Sequence, residues 1–584
     1  MSSSRQPVYT EKTKCRDCYK CVRYCPVKAI KVEENSARII DDLCIYCGRC
    51  VEICPTHAKK VRNDVPEVKK LIRSGRKVVL SLAPSWTTGV FGSREELIAA
   101  FRGLGFCAVS ETALGAELVS SWTSEQLERE PGLMISSACP TVNELFRKYY
   151  PQFIDSLSRA PSPLEAHALF LKRLMGERIA VVFAGPCIAK KLEADNRDSE
   201  IDFALTFDEM SGWLGERSLT AATPRSFETE DLDFYPCQAV SGSLYAMEGG
   251  MIRSLGDMSR SPDRTMVPLS GMTHIMEALD EMDGRDGMML ELLSCPGGCV
   301  NGSGFKNRGN QFAYRKKSLI HFEKALAGSI SSSPVLEAAE SMNLQLPLKS
   351  FIRASAHREA SFTDELIEEA LYELGKEKEE DRLDCGGCGY NSCRDFAVAY
   401  LKKMGEKPMC VTNMRKRAQK KVDMLLRTLP MGVVIVNRRH QIVECNKGFA
   451  SLFADPETIC DEEYAKRHSD LPLINFVDLT SCLTDILSGR KSIFEERLKI
   501  NGKFLKITFF SIDKGHLAGV IIQDITTTSV KREDVIRKAE EVISKNLQNV
   551  QQIASLLGEN AAETEIILRS LTDQFQFTAA EGNL

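Results

Sequence analysis

From about Glu67 onward, apolar runs of strand length alternate with stretches of helical period. The strand-like runs are residues 77–83 (KVVLSLA), 178–184 (RIAVVFA), 202–207 (DFALTF) and 287–293 (GMMLELL). Strands alternating with helices predict an α/β layer architecture, and open α/β sheets place their ligands beyond the carboxyl ends of the strands. The pattern turns charged and helix-favouring over 363–371 and 376–381, which reads as a connector. Strand-like runs return at 504–510 and 517–526. Between Val535 and Leu571 the period becomes seven: Ile536, Ile543, Val550, Leu557, Thr564 and Leu571 occupy one core position, and Ala539, Asn546, Ile553, Asn560 and Ile567 the other. That order predicts a coiled coil, with Asn546, Asn560 and Thr564 fixing register at some cost in stability. A single amphipathic helix folded onto the protein is the alternative.

A chain of 584 residues is too long for one core. The pattern divides it into 1–66, 67–335, 360–418, 422–527 and 528–578, a multidomain α/β protein ending in a helix. A net charge of -4, with both signs mixed along the chain, leaves no footprint for nucleic acid. The start Met-Ser-Ser-Ser-Arg has no apolar core of a signal peptide, and no run reaches the roughly 18 apolar residues of a membrane span, so a cytoplasmic location is expected. In a reducing compartment, 21 clustered cysteines are better explained as metal ligands than as disulfides.

Cys15, Cys18, Cys21 and Cys25, followed by Pro26, share their spacing with Cys44, Cys47, Cys50 and Cys54, followed by Pro55. That repeat fits two 4Fe-4S cubanes, each taking three thiolates from one motif and the fourth from the other: Cys15, Cys18, Cys21 with Cys54, and Cys44, Cys47, Cys50 with Cys25. Zinc sites space two CxxC knuckles more widely. Cys385, Cys388, Cys393 and Cys410, with glycines at 386, 387 and 389, predict a further 4Fe-4S cluster, with zinc as the alternative. A third group comes from separate segments, each beside proline or glycine: Cys139 before Pro140, Cys187 after Gly185 and Pro186, and Cys295 and Cys299 in the turn Cys-Pro-Gly-Gly-Cys. Four such thiols suit one buried cluster. Cys107, Cys237, Cys445, Cys460 and Cys482 lack ligand spacing and read as structural.

These three segments resemble the signature motifs of the FeFe hydrogenases, over a stretch from the paired cubane motifs to about residue 330. The resemblance implies that Cys139, Cys187, Cys295 and Cys299 hold a cubane, and that Cys299 also bridges to a diiron unit carrying carbon monoxide, cyanide and a dithiolate, together the H-cluster. It further implies that Pro84 and Ser85 line the diiron pocket and that Pro186 and Lys190 approach its cyanides. Charge-assisted hydrogen bonds from a buried ammonium would suit such anions. Three cubanes would then lie outside the active site.

The sequence also departs from that family. Ala138 stands where fast members carry a proton-relay cysteine, Thr123 and Gln126 fall near two relay glutamates, and Ser158 of the path is retained. Gly185 and Leu293 replace two methionines of the pocket. Residues 422–527 resemble an α+β PAS sensory domain, with Asn446-x-x-Phe449 as a helix start and Asp524-Ile-Thr526 as the close. Together these features resemble the sensory, PAS-containing type of FeFe hydrogenase. A dimer is then expected that interconverts H2 with protons and electrons slowly, exchanges electrons with a small carrier such as ferredoxin, and signals to a separate kinase or phosphatase. The alternatives are a metabolic ferredoxin-linked hydrogenase and a non-catalytic iron-sulfur protein like the assembly factors that keep these motifs without the diiron unit.

Overall fold

The strand-like runs of the first half are strands in the computed structural model: Val78–Leu82, Ala180–Gly185, Phe203–Thr206 and Met288–Leu293. The structure describes residues 6–525 and 540–546, apart from 35, 89–92, 130–131, 220–231, 257–263, 283–286, 306–319, 321–332, 348–360, 454–471 and 501. Ala108–Glu111, Val78–Leu82, Ala180–Gly185 and Phe203–Thr206 form one four-stranded sheet in that order, with every pair parallel. All five residues of Val78–Leu82 and all six of Ala180–Gly185 are buried, as in strands covered on both faces. Met288–Leu293 belongs to a second parallel sheet, between Thr265–Ser270 and Met134–Ile135. Both sheets send strand ends into loops that carry cysteine.

Toward the N-terminus the pieces are small. Val8–Thr10 pairs antiparallel with Lys59–Val61, and Ile30–Glu33 with Ser36–Ile39. Buried Lys191 ties this region to the larger sheet domain, its ammonium donating to Asp64 at 2.8 Å, to Glu209 at 3.0 Å and to the Ala204 carbonyl at 2.8 Å. The charged connector does fold as a helix, Asp364–Glu373.

The chain divides into two compact units, residues 1–409 and 410–584. In the second, the helix Val411–Thr428 precedes a five-stranded antiparallel sheet of order Ile442–Cys445, Gly432–Asn437, Leu517–Asp524, Lys503–Asp513, Ile493–Ile500. Asn446 organises its turn: Oδ1 accepts from Val433 N–H at 2.7 Å and Phe449 N–H at 2.9 Å, while Nδ2 donates to the Leu426 and Met431 carbonyls. The helix Lys447–Phe453 starts there, and Phe449 enters a core with Val434, Ile507, Phe509 and Val520. Cys445 is buried in this core and Cys482 packs at its edge; Cys460 lies outside the described residues. Of the heptad stretch, all but 540–546 lies outside the described residues. Among the described residues no helix is long and apolar enough to cross a membrane.

Candidate metal centre

The two N-terminal motifs fold as a repeat. Each runs into a five-residue helix, Lys20–Tyr24 and Arg49–Ile53, and the backbone turns left-handed at matched places: Asp17 and Tyr46, Tyr19 and Gly48, Lys28 and His57. These turns aim amides at sulfur, with Ala29 N–H donating to Cys25 Sγ at 3.3 Å and Ala58 N–H to Cys54 Sγ at 3.2 Å. Such bonds hold and tune iron-sulfur ligands. The thiols sort into two groups by mutual charge. Cys21 feels Cys18, Cys15 and Cys54, whereas Cys47 and Cys50 feel Cys44 and Cys25. Burial above all pushes Cys21 up to about 11 and Cys44 up to about 12, so these thiols need a cationic partner to bind as thiolates.

The third group converges from three loops. Cys139 caps the helix Pro140–Tyr149, Cys187 follows the strand Ala180–Gly185, and Cys295 and Cys299 follow Met288–Leu293. Cys295 feels Cys299, Cys187 and Cys139, and Cys299 feels Cys139 and Cys187. Burial first, then Cys139, pushes Cys187 up to about 12. The glycines are demanded by close approach: at Gly298 (φ 106°) a Cβ would meet the Ala246 carbonyl oxygen at 2.6 Å, and at Gly302 the Pro186 carbonyl oxygen at 2.5 Å. Four thiols brought together from three loops are a ligand set that an iron-sulfur cluster takes.

This third group adjoins the second N-terminal one. Cys295 feels Glu52, and Lys148 and Tyr149, at the far end of the helix that Cys139 begins, donate to the Cys44 and Leu43 carbonyls, each at 2.7 Å. The loop carrying Cys44 and the loop carrying Cys139 are thus joined by one rigid helix.

Around the four thiols, Pro84 and Ser85 open a 3-10 turn directly after Val78–Leu82. Ser85 is 1% exposed, and its Oγ has no hydrogen-bond partner among the described residues. An orphaned buried hydroxyl fits a missing polar group, and with the glycine cradle it makes these residues compatible with the H-cluster. Lys190 opens the helix Lys190–Ala194 and is buried, its Nζ donating to Glu193 Oε2 at 2.7 Å; Ser162 Oγ donates to the same oxygen at 2.9 Å. Burial alone would lower its pKa, but Glu193 and the thiols of Cys187 and Cys139 outweigh that, so it stays an ammonium. The Pro186 carbonyl is taken by Gly304 N–H at 2.7 Å. A Cβ at Gly185 would meet the Phe183 ring at 2.3 Å, and Leu293 is buried.

Ala138 packs against an apolar cluster that includes Leu127, Met134, Met251, Met289 and Tyr245, and its methyl group carries nothing to titrate. Thr123 is fully buried, and its hydroxyl has no hydrogen-bond partner among the described residues. Gln126 and Ser158 line an open cavity of about 970 Å³ that Ala138 does not line. Cys107 and Cys237 pack at the edge of the large core.

Two residues escaped the sequence reading. Glu291, inside a buried strand, accepts from Ile252 N–H at 3.0 Å, and burial raises its pKa to about 7. Tyr245 beside it continues to Ser120 at 2.9 Å and on to Ser254 at 2.6 Å. The one sequence signal was an acid in the middle of an apolar run.

Residues 76–303 match the family model described as "Iron only hydrogenase large subunit, C-terminal domain". This region is iron-only hydrogenase-like. Residues 7–55 match a 4Fe-4S dicluster domain, and 381–411 a model for an Fe-S cluster, spanning Cys385, Cys388, Cys393 and Cys410. Relatives include iron hydrogenase 1 of Clostridium pasteurianum, 25% identical over 371 residues, which are 50% of this chain and 64% of the relative. The periplasmic [Fe] hydrogenase large subunit of Nitratidesulfovibrio vulgaris is 27% identical over 364 residues, 51% of this chain and 86% of its own. The chain therefore spans less than two thirds of the first relative's length. A PAS domain of an HTR-like protein from Haloarcula marismortui is similar over 19% of this chain and 94% of its own, with 12% identity and a TM-score of 0.15.

Proposed function

We propose that the chain is a sensory hydrogenase: it interconverts H2 with protons and electrons slowly and reports the state of that centre through its second unit to a separate signalling protein. The observation that carries this reading is Ala138, which packs among methionine and leucine side chains immediately before Cys139 while all four thiols, Ser85 and Lys190 are kept. When bound, the H-cluster supplies the metal chemistry that splits or forms H2. Cys139, Cys187, Cys295 and Cys299 would hold it, and Lys190 would place an ammonium beside it, steadied by Glu193. The buried walls around Ser85 exclude bulk water. No acid or base stands at position 138, so protons reach the centre slowly. Positioned acid-base groups typically contribute about 10²- to 10⁴-fold in rate, and the loss should be of that order. Slow exchange prolongs each state, which suits reporting more than turnover. In the second unit, the Asn446-capped helix and the antiparallel sheet support a PAS-like receiver.

Infrared spectroscopy after loading with a synthetic diiron precursor tests the reading. Bands of iron-bound carbon monoxide and cyanide are expected. Protein that carries its cubanes but shows no such bands would place the chain with non-catalytic iron-sulfur proteins instead.

A further inference from the structure

The segment carrying Cys385, Cys388 and Cys393 does not simply hang between the hydrogenase-like region and the second unit. It is docked on the N-terminal two-cluster domain through two contacts. At one, Lys28 Nζ donates to the Gly389 carbonyl at 2.5 Å across a sequence separation of 361 residues, and to its own domain's Arg23 carbonyl at 3.2 Å. The backbone there is nearly touching, because a Cβ on Gly389 (φ 98°) would come within 3.0 Å of the Arg23 nitrogen and of Val22 Cγ1. Tyr390 is 5% exposed, and Lys28 Nζ lies 5.8 Å from its ring centre. At the second contact, Val32 N–H donates to the Met404 carbonyl at 3.0 Å and Glu34 N–H to Glu406 Oε1 at 3.2 Å.

Lys28 stands between two ligand loops. Its own N–H donates to the Cys25 carbonyl at 3.3 Å, and its side chain reaches the carbonyl of the residue after Cys388. Burial pulls its pKa down, while Cys25, Cys388 and Asp395 push back, so both thiols are near enough to feel its charge. Left-handed backbone is uncommon for lysine, and here φ is 50°, which turns the side chain's root out of the Cys25 loop. A continuous path of covalent and hydrogen bonds therefore runs from Cys25 through Lys28 and Gly389 to Cys388.

We propose that a cluster held by the segment of Cys385, Cys388 and Cys393 exchanges electrons with the cluster on the Cys25 side of the two-cluster domain, and that Lys28 is the positioning residue holding the two ligand loops together. The inference rests on the reading that this segment holds a 4Fe-4S cluster. The step is a single-electron transfer: one cluster is oxidised by one electron as the other is reduced by one, and no bond or proton moves. The two-cluster domain is then a junction, serving both the hydrogenase-like centre, which it meets at Lys148 and Tyr149, and the segment that leads to the second unit.

The test uses full-length holoprotein with and without Lys28→Ala, and with Lys28→Arg as the conservative variant. Iron and sulfide content is measured first, followed by paramagnetic resonance of the reduced clusters and freeze-quench reduction by dithionite. Wild-type protein is expected to show magnetic interaction that disappears when Cys385, Cys388 and Cys393 are all changed to serine. Lys28→Ala should keep its iron, lose that interaction, and reduce the Cys385 cluster at least tenfold more slowly, with Lys28→Arg restoring part of both. If Lys28→Ala loads poorly, Gly389→Ala forces the same surfaces apart and carries the same expectations. Full iron with unchanged interaction and unchanged rate in these variants overturns the proposal. Wild-type iron content that is unaffected by the triple serine change means the motif holds no cluster, and then the underlying reading has failed and this inference falls with it.

Discussion

On the proposed reading a methyl group stands at position 138 where a proton relay needs a titratable group, and Leu127, Met134, Met251 and Met289 around it carry none. Ala138→Cys should therefore raise H2 evolution, by less than the full factor of about 10²- to 10⁴ that a complete relay supplies. Thr123, buried with a hydroxyl that has no partner among the described residues, and Gln126 still interrupt the path. Adding Thr123→Glu and Gln126→Glu should help only together with Ala138→Cys, because groups in one chain are not additive. Unchanged activity in the triple variant, with the infrared bands intact, would show that proton delivery does not limit this protein. Glu291 makes a separate prediction through stability. Burial raises its carboxyl pKa to about 7 in the fold, against the ordinary 4.5 of an exposed glutamate, so between those values the folded chain holds a proton that the unfolded chain has lost. Stability is therefore highest below about pH 4.5 and falls as pH rises through 7, by roughly 3 kcal/mol. Glu111, also raised to about 7 by burial, adds a similar slope. Urea unfolding at pH 5 and pH 8 should show Glu291→Gln losing about half of the wild-type pH dependence; an unchanged slope would mean that Glu291 is already ionised in the fold.

At the scale of elements, what the sequence made legible was chemistry with fixed spacing. Twelve residues holding four cysteines and a proline can do little else, and the repeat at 44–55 repeats the backbone too, down to left-handed Lys28 and His57. The apolar runs were legible as strands because both faces are covered. That Met288–Leu293 lies in a separate sheet was not, since a run's burial does not say what it pairs with. Glu291 escaped because one acid in an apolar run carries no spacing, and the Lys28–Gly389 contact because it joins residues 361 apart. The Cys295–Cys299 turn tests how far the glycines matter. Gly298→Ala would strain a left-handed residue by about 1–2 kcal/mol and drive its Cβ toward the Ala246 carbonyl oxygen, 2.6 Å away. The variant should lose the iron of this centre while the two N-terminal clusters load normally. Iron content and resonance spectra equal to wild type would mean that the turn relaxes around a methyl group.

For the whole molecule, a sensor needs some way to convert a local redox state into a change that another protein can read, and a paired helix is one such device. If the heptad order from Ile536 to Leu571 forms such a pair, Asn546, Asn560 and Thr564 fall at its core positions. Buried polar positions in a coiled coil fix register at the expense of stability, so a seam with three of them is held less tightly than an all-apolar one. Its association should accordingly depend on the length of the seam that is kept. A chain ending near Thr528 retains both compact cores described here and loses every heptad. Sedimentation should show the full chain as a dimer and the shortened chain as a monomer, with the infrared bands and any H2 activity unchanged, because Cys139, Cys187, Cys295 and Cys299 lie in the first unit. If the shortened chain is as dimeric as the full one, the antiparallel sheet unit supports the dimer and the seam has another task. If the shortened chain is monomeric but also loses its H2 activity, the removed tail acts back on the centre, and the flow of information runs in both directions.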